Sequence, residues 1–254
     1  MNRQLTELLT RYGRIGAIWF DGWWDHERDT VSFNWQLPEQ YALIHKLQPA
    51  CLVGNNHHVE PFEGEDIQIF ERDLPGENTT GFSPTGKAAE ISRLPLETCQ
   101  TMNGMWGYKV VDQDYKSVDE IIRLLVNTSG KGANLLLNIG PQPNGELPAL
   151  ALDRLKGLGA WMKVYGKTIY RTTAGPVLPQ SWGATTQRGD SIFVHVTGDN
   201  VASVDIPLTS RKAVVTDYLT GSKVPFTKTK TGITITLPKD YVTPDYVVVV
   251  KVKK

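Results

Sequence analysis

Cysteine is scarce in this sequence, an excess of either charge is missing, and no long apolar run occurs; each shortage excludes something. Two cysteines cannot build a disulfide framework, and Cys51 and Cys99 both sit in apolar surroundings where free thiols pack as small hydrophobes. Lysine plus arginine equals aspartate plus glutamate at 27 each, so the chain lacks the positive field that nucleic acid or an anionic membrane would reward. No apolar stretch approaches the roughly 20 residues of a membrane helix. No Gly-x-Gly-x-x-Gly follows a predicted strand, which leaves dinucleotide binding without support. Met1 is followed by the polar Asn2-Arg3-Gln4, so no secretion signal is expected and the compartment stays open. What remains, 40% hydrophobic and 21% charged over 254 residues, is a folding composition with room for one large domain or two ordinary ones.

Helix and buried strand alternate through the first two thirds of the chain. Leu5, Leu8, Leu9 and Tyr12 recur at helical spacing and predict a helix over 3–12 that stops at Gly13. Ile15 to Phe20 is nearly continuous in apolar character, as in a strand buried on both faces, and ends at Asp21-Gly22. A helix over 37–47 with Pro38 at its start precedes a second buried strand, Ala50 to Gly54, which ends at Asn55-Asn56-His57-His58. Residues 59–92 read as a long polar loop. Helix 117–127, strand 133–139 and helix 149–165 complete the series, whose expected class is parallel α/β, a barrel before a doubly wound sheet. After about residue 172 the periodicity changes to short β-rich runs at 191–197, 202–206, 213–219, 231–237 and 246–252. The expectation is a partial (β/α)8 TIM-like barrel over 1–173 followed by an antiparallel β-sandwich over 174–254, with the seam at Ala174-Gly175-Pro176.

In parallel α/β folds chemistry gathers where strands end. The expected strand ends carry Asp21, then His57 and His58, then Glu97, then Asn138 to Pro141. Asp21 lies among Trp19, Trp23 and Trp24, a grouping that suits a sugar, whose C–H face stacks on indole while a carboxylate handles the reactive carbon. The same Asp-Gly can equally be a turn element with the tryptophans as core. Glycoside hydrolysis needs two carboxylates, and Asp21 with Glu97 fits the pairing. Glu71, in Phe70-Glu71-Arg72-Asp73, is a second acid candidate whose plain alternative is a solvated loop charge. His57 and His58 could also suggest a metal with Glu60 or Glu63, but the spacing matches no zinc motif and no cofactor is implied.

Five segments carry a family resemblance: Trp19-Phe20-Asp21-Gly22; Val53-Gly54-Asn55-Asn56-His57; Leu96-Glu97-Thr98-Cys99; Met105-Trp106-Gly107-Tyr108; and Gly132 to Pro141 with Asn144-Gly145. In that order they resemble the α-L-fucosidases of glycoside hydrolase family 29, over roughly residues 1–175. The later β region resembles that family's carboxyl-terminal sandwich. The resemblance implies a retaining exo-hydrolase that removes terminal α-L-fucose from glycans or fucosides through a covalent fucosyl-enzyme. It implies Asp21 as nucleophile and Glu97 as acid/base, with Leu96 standing where Trp is usual and Glu71 as runner-up. His57, His58, Trp24 and Trp106 would contact substrate; Asn55-Asn56-His57 stands where many members carry Asn-Asp-Arg.

The resemblance also implies that about half of a barrel precedes the Asp21 strand in the family, and this chain starts one helix before it. A half barrel would leave two open edges and an uncovered interior, so a fragment, self-association through the open face and low activity alone are expected. Family members are usually secreted, periplasmic or lysosomal. The rival readings are a glycan-binding protein without catalysis, and a glycosidase of another sugar specificity.

Overall fold

The computed structural model describes residues 1–26, 30, 31, 33–208 and 212–252, and these pack as two compact units, Met1–Gln100 and Thr101–Lys254. The fold class is the expected one: a partial TIM-like parallel sheet with helices, then antiparallel sheets forming a β-sandwich.

In the first unit, α1 (Asn2–Arg11) and α2 (Leu37–Leu47) cover one face of the parallel strands β1 (Ala17–Phe20), β2 (Leu52–Asn55), β3 (Ile67–Glu71) and β4 (Leu96–Thr101), in that spatial order. Alternation sorts the side chains. Phe20 and Val53 point to the helices and bury Leu5, Leu9, Leu37, Tyr41 and Ile44 with them. Trp19, Gly54, Ile69 and Glu97 lie on the other face, as the register pairs Trp19 with Gly54 and Ile69 with Glu97. β3 falls inside the stretch read as a polar loop. Its five residues, Ile-Gln-Ile-Phe-Glu, are too few and too polar at Gln68 and Glu71 to stand out, yet Gln68 is buried with its amide bonded to Glu90 and Ser92.

In the second unit, α3 (Val118–Gly130) begins with a capping box between Ser117 and Glu120. β5 (Ala133–Asn138) and α4 (Ala149–Tyr165) follow. Gly157 lets α4 approach α3, since a β-carbon there would lie 2.5 Å from a methyl of Val118. The antiparallel sheet of β6 (Thr173–Ala174), β7 (Gly183–Arg188), β8 (Ser191–Val196), β10 (Ala213–Asp217) and β13 (Tyr246–Val252) faces a smaller one of β9 (Ser203–Pro207), β11 (Phe226–Lys228) and β12 (Gly232–Thr236). Ile192, Val194, Val196, Val248 and Val250 fill the space between them with Ile206, Ile233 and Ile235. The intervening Phe193 and Val247 turn the other way and pack against Ile122, Val126, Trp161 and Tyr165 of the helices. The larger sheet is thus buried on both faces, and the helices and the sandwich share it. The unit boundary falls after Gln100, whereas the sequence texture changes near residue 172.

His195 sits fully buried in β8. Thr186 Oγ1 donates to the Thr168 carbonyl at 2.6 Å, so His195 Nε2 is the donor toward Thr186 at 3.2 Å, and Nδ1 has no partner among the described residues. Burial pushes the imidazole pKa down to about 4. The folded state therefore holds His195 neutral while the unfolded chain takes up a proton. Its contribution is intact above the unfolded pKa near 6.5 and is lost as pH falls toward 4, roughly 3 kcal/mol in all. Urea unfolding of wild type and His195→Leu across this window should show that excess acid sensitivity in wild type alone; equal slopes would refute the assignment.

Candidate active site

The first unit gathers its polar residues at the carboxyl ends of β1, β2 and β3. Asp21 follows Phe20 directly, and Gly22, at φ 83°, takes the left-handed turn that starts the short 3-10 turn Trp23–His26. The β1–β2 ladder runs one step past the strands, with Asn56 N–H donating to the Phe20 carbonyl at 2.9 Å, so Asp21 and Asn56 emerge side by side. Glu71 is the last residue of β3.

These three side chains meet. Asn56 Nδ2 donates to Asp21 Oδ1 at 3.3 Å and to Glu71 Oε2 at 2.7 Å. With both on one nitrogen, the two bonded oxygens are at most about 6 Å apart, a close approach compatible with a retaining glycosidase pair. His58 Nε2 lies 3.5 Å from the same Glu71 oxygen. The His58 backbone is held at φ 61°, an uncommon conformation for a residue with a side chain.

Glu97 is placed differently from the expectation. It is the second residue of β4, near the start of that strand, and the third strand end is occupied by Glu71. Glu97 lies on the same sheet face, where burial alone raises its carboxyl pKa. Beside it, burial first and then the negative charges of Glu71, Glu97 and Asp21 push the Cys99 thiol up to about 12. Cys51 and Cys99 are both free and buried.

His57 is committed to the interior. Its Nδ1 accepts the Val59 N–H at 3.2 Å, so Nε2 carries the proton and donates to Glu65 Oε1 at 2.9 Å. That oxygen also accepts from Tyr41 Oη at 3.1 Å, and Tyr41 Oη accepts from Asn55 Nδ2 at 2.7 Å. Both ring nitrogens are used and the residue is buried, so His57 supports the β2 end from behind instead of offering a nitrogen to a sugar. Trp23 packs on His57 and Phe62, while Trp24 is 40% exposed with its ring 5.3 Å from that of His58. Trp106 belongs to the second unit, in the loop after β4, where its carbonyl accepts from Asn138 Nδ2 at 2.7 Å. Among the described residues no group of three or more His, Cys, Asp or Glu is placed to hold a metal ion.

The loop after Glu71 is anchored at its base. Asp73 accepts from Thr79 N–H at 3.0 Å and Thr80 Oγ1 at 2.6 Å, as well as from the Thr79 hydroxyl. Burial opposes ionisation of Asp73, but these bonds outweigh it and leave the carboxyl pKa lowered. Sequence reading placed Asn56 at a strand end and in a family segment but gave it no role, because an amide's role depends on what stands on either side.

Comparison with known proteins gives one family. A family model described as alpha-L-fucosidase matches residues 1–167. The alpha-L-fucosidase of Dictyostelium discoideum is 30% identical over 97% of this chain and 54% of its own length. The plasma alpha-L-fucosidase of Rattus norvegicus is 40% identical over 54% of this chain and 35% of its own. The chain thus spans about half, or less, of these relatives. Among solved structures, alpha-L-fucosidase isoenzyme 1 from Paenibacillus thiaminolyticus superposes with a TM-score of 0.77 at 30% identity, covering 100% of this chain and 62% of the other.

The burial of Cys99 generates a direct check. In the folded chain at pH 8 neither thiol should react with iodoacetamide within an hour, and both should react in urea; labelling of native Cys99 would contradict its placement under the carboxylates.

Proposed function

This chain belongs to the alpha-L-fucosidase family, and on that premise we propose that it serves the retaining hydrolysis of terminal α-L-fucosides, with Asp21 as nucleophile and Glu71 as acid/base. In this reading residues 1–173 supply barrel and residues 174–254 the sandwich. Asp21 attacks the anomeric carbon of fucose while Glu71 gives its proton to the departing glycosidic oxygen, leaving a fucosyl ester on Asp21. Glu71, now ionised, takes a proton from water as that water attacks the anomeric carbon and breaks its bond to the Asp21 oxygen, which frees fucose with retained configuration and restores both carboxyls. The observation that carries the reading is the Asn56 amide, which holds Asp21 and Glu71 within one nitrogen's reach.

A second assignment keeps Glu97 as the acid. It is favoured by the raised Glu97 carboxyl, since a general acid must hold its proton near neutral pH. Its position near the start of β4, away from the strand ends, weighs for Glu71. In either case the substrate is a fucosylated glycan or simple fucoside.

Substitution separates the readings. Asp21→Asn should abolish turnover of an aryl α-L-fucoside. Glu71→Ala should lower it about 10²- to 10⁴-fold, with azide restoring the rate and yielding α-L-fucosyl azide. Azide rescue of Glu97→Ala with Glu71→Ala unrescued would move the acid/base role to Glu97. Fucoside binding without turnover in wild type would favour a glycan-binding protein.

A further inference from the structure

We propose that Trp24, His58 and Phe82 form a stacking platform for the sugar ring that carries the fucose, the residue released with the glycosidic oxygen. The inference rests on the assignment of Glu71 as acid/base and extends it to the far side of the scissile bond.

The direction follows from the chemistry. A general acid must reach the departing oxygen, so the leaving residue lies on the acid's side of the fucose ring. The aromatic groups that reach the Glu71 side, whichever strand they follow, therefore face the leaving residue. His58 Nε2 lies 3.5 Å from Glu71 Oε2. Its imidazole sits between two rings, Trp24 at 5.3 Å and Phe82 at 5.4 Å, both tilted by less than 50° from it. Three rings thus lie together, with the middle one beside the carboxylate.

The two outer rings are open to solvent, Trp24 at 40% and Phe82 at 43%, whereas Trp23 next door is packed against Phe62. Large exposed aromatic rings held in fixed positions cost hydration and are common where a ligand will cover them. Both are held. Trp24 lies in the 3-10 turn that starts at Gly22, and Phe82 follows the Thr79-Thr80 pair clamped by Asp73, with Ser83 N–H bonded to Asn78 Oδ1 at 3.2 Å. The occupant that fits is a hexopyranose, whose axial C–H face stacks on indole or phenyl while its hydroxyls remain in water. Fucose itself would occupy the Asp21 side.

The test compares two substrates on the full chain. α-L-Fucosyl fluoride has a leaving group with no ring to stack, whereas a fucosyl-galactose disaccharide has one. Trp24→Ala and Phe82→Ala should each lower the ratio of kcat/KM for the disaccharide to that for the fluoride about tenfold, and Trp24→Phe should restore most of it. An unchanged ratio in both alanine variants would overturn the platform, and so would equal losses on both substrates, which would place the rings against fucose. If wild type hydrolyses neither substrate, the fucosidase reading fails separately. The platform is then judged by lactose, which should shift the Trp24 indole N–H signal, identified by its absence in Trp24→Phe; no shift overturns it.

Discussion

One side-chain amide, that of Asn56, organises the carboxylates of the first unit. An amide NH2 offers two protons, and here each meets a different carboxylate, Asp21 and Glu71. Two carboxyl groups this close would otherwise repel, and one would be driven to hold a proton wherever the other was ionised. A neutral donor between them lowers that repulsion without adding a charge. An Asp at position 56 would instead place a third carboxylate in the same space.

The amide can do this only because β2 is held from behind. Asn56 takes its place through the ladder bond to Phe20, and the neighbouring Asn55, His57, Tyr41 and Glu65 tie that end of the strand to α2 through one buried chain of hydrogen bonds. The chain is costly: Glu65 is a buried carboxylate, and its Oε2 has no partner among the described residues. Its return is a fixed ring for His57 and a strand end that does not drift. Charge on the working face thus depends on polar burial on the other face, and the two are neighbours in sequence because successive residues of a strand point to opposite sides.

Periodicity made much of this legible. Apolar runs located β1, β2 and β5, the leucine spacing located α1, and the bounds of α2 and α4 were readable from Pro38 and from the apolar stripe. β3 was not, because a strand whose buried positions include Gln68 and whose end is Glu71 carries the composition of a loop; its burial is decided by Glu90 and Ser92, some 20 residues away. Missing β3 shifted the count of strand ends by one, so Glu97 was read as the third strand end, a position that Glu71 occupies. The change of texture near residue 172 was real in the chain, yet Phe193 and Val247 bury against Trp161 and Tyr165, so composition marked a change of element type within one packed unit.

Glu97 and Cys99 show why the third carboxylate differs from the other two. Asn56 has no further N–H to give, and nothing offsets the burial of Glu97, so its carboxyl holds a proton to higher pH than an ordinary glutamate. The Cys99 thiol beside it is neutral for the same reason, with the surrounding negative charge adding to burial. Burial thus acts in the same direction on the carboxyl and on the thiol that share this face with the bridged pair. Hydrogen-bond supply therefore separates the three carboxylates on this face: Asp21 and Glu71 share the Asn56 amide, whereas burial acts on Glu97 unopposed.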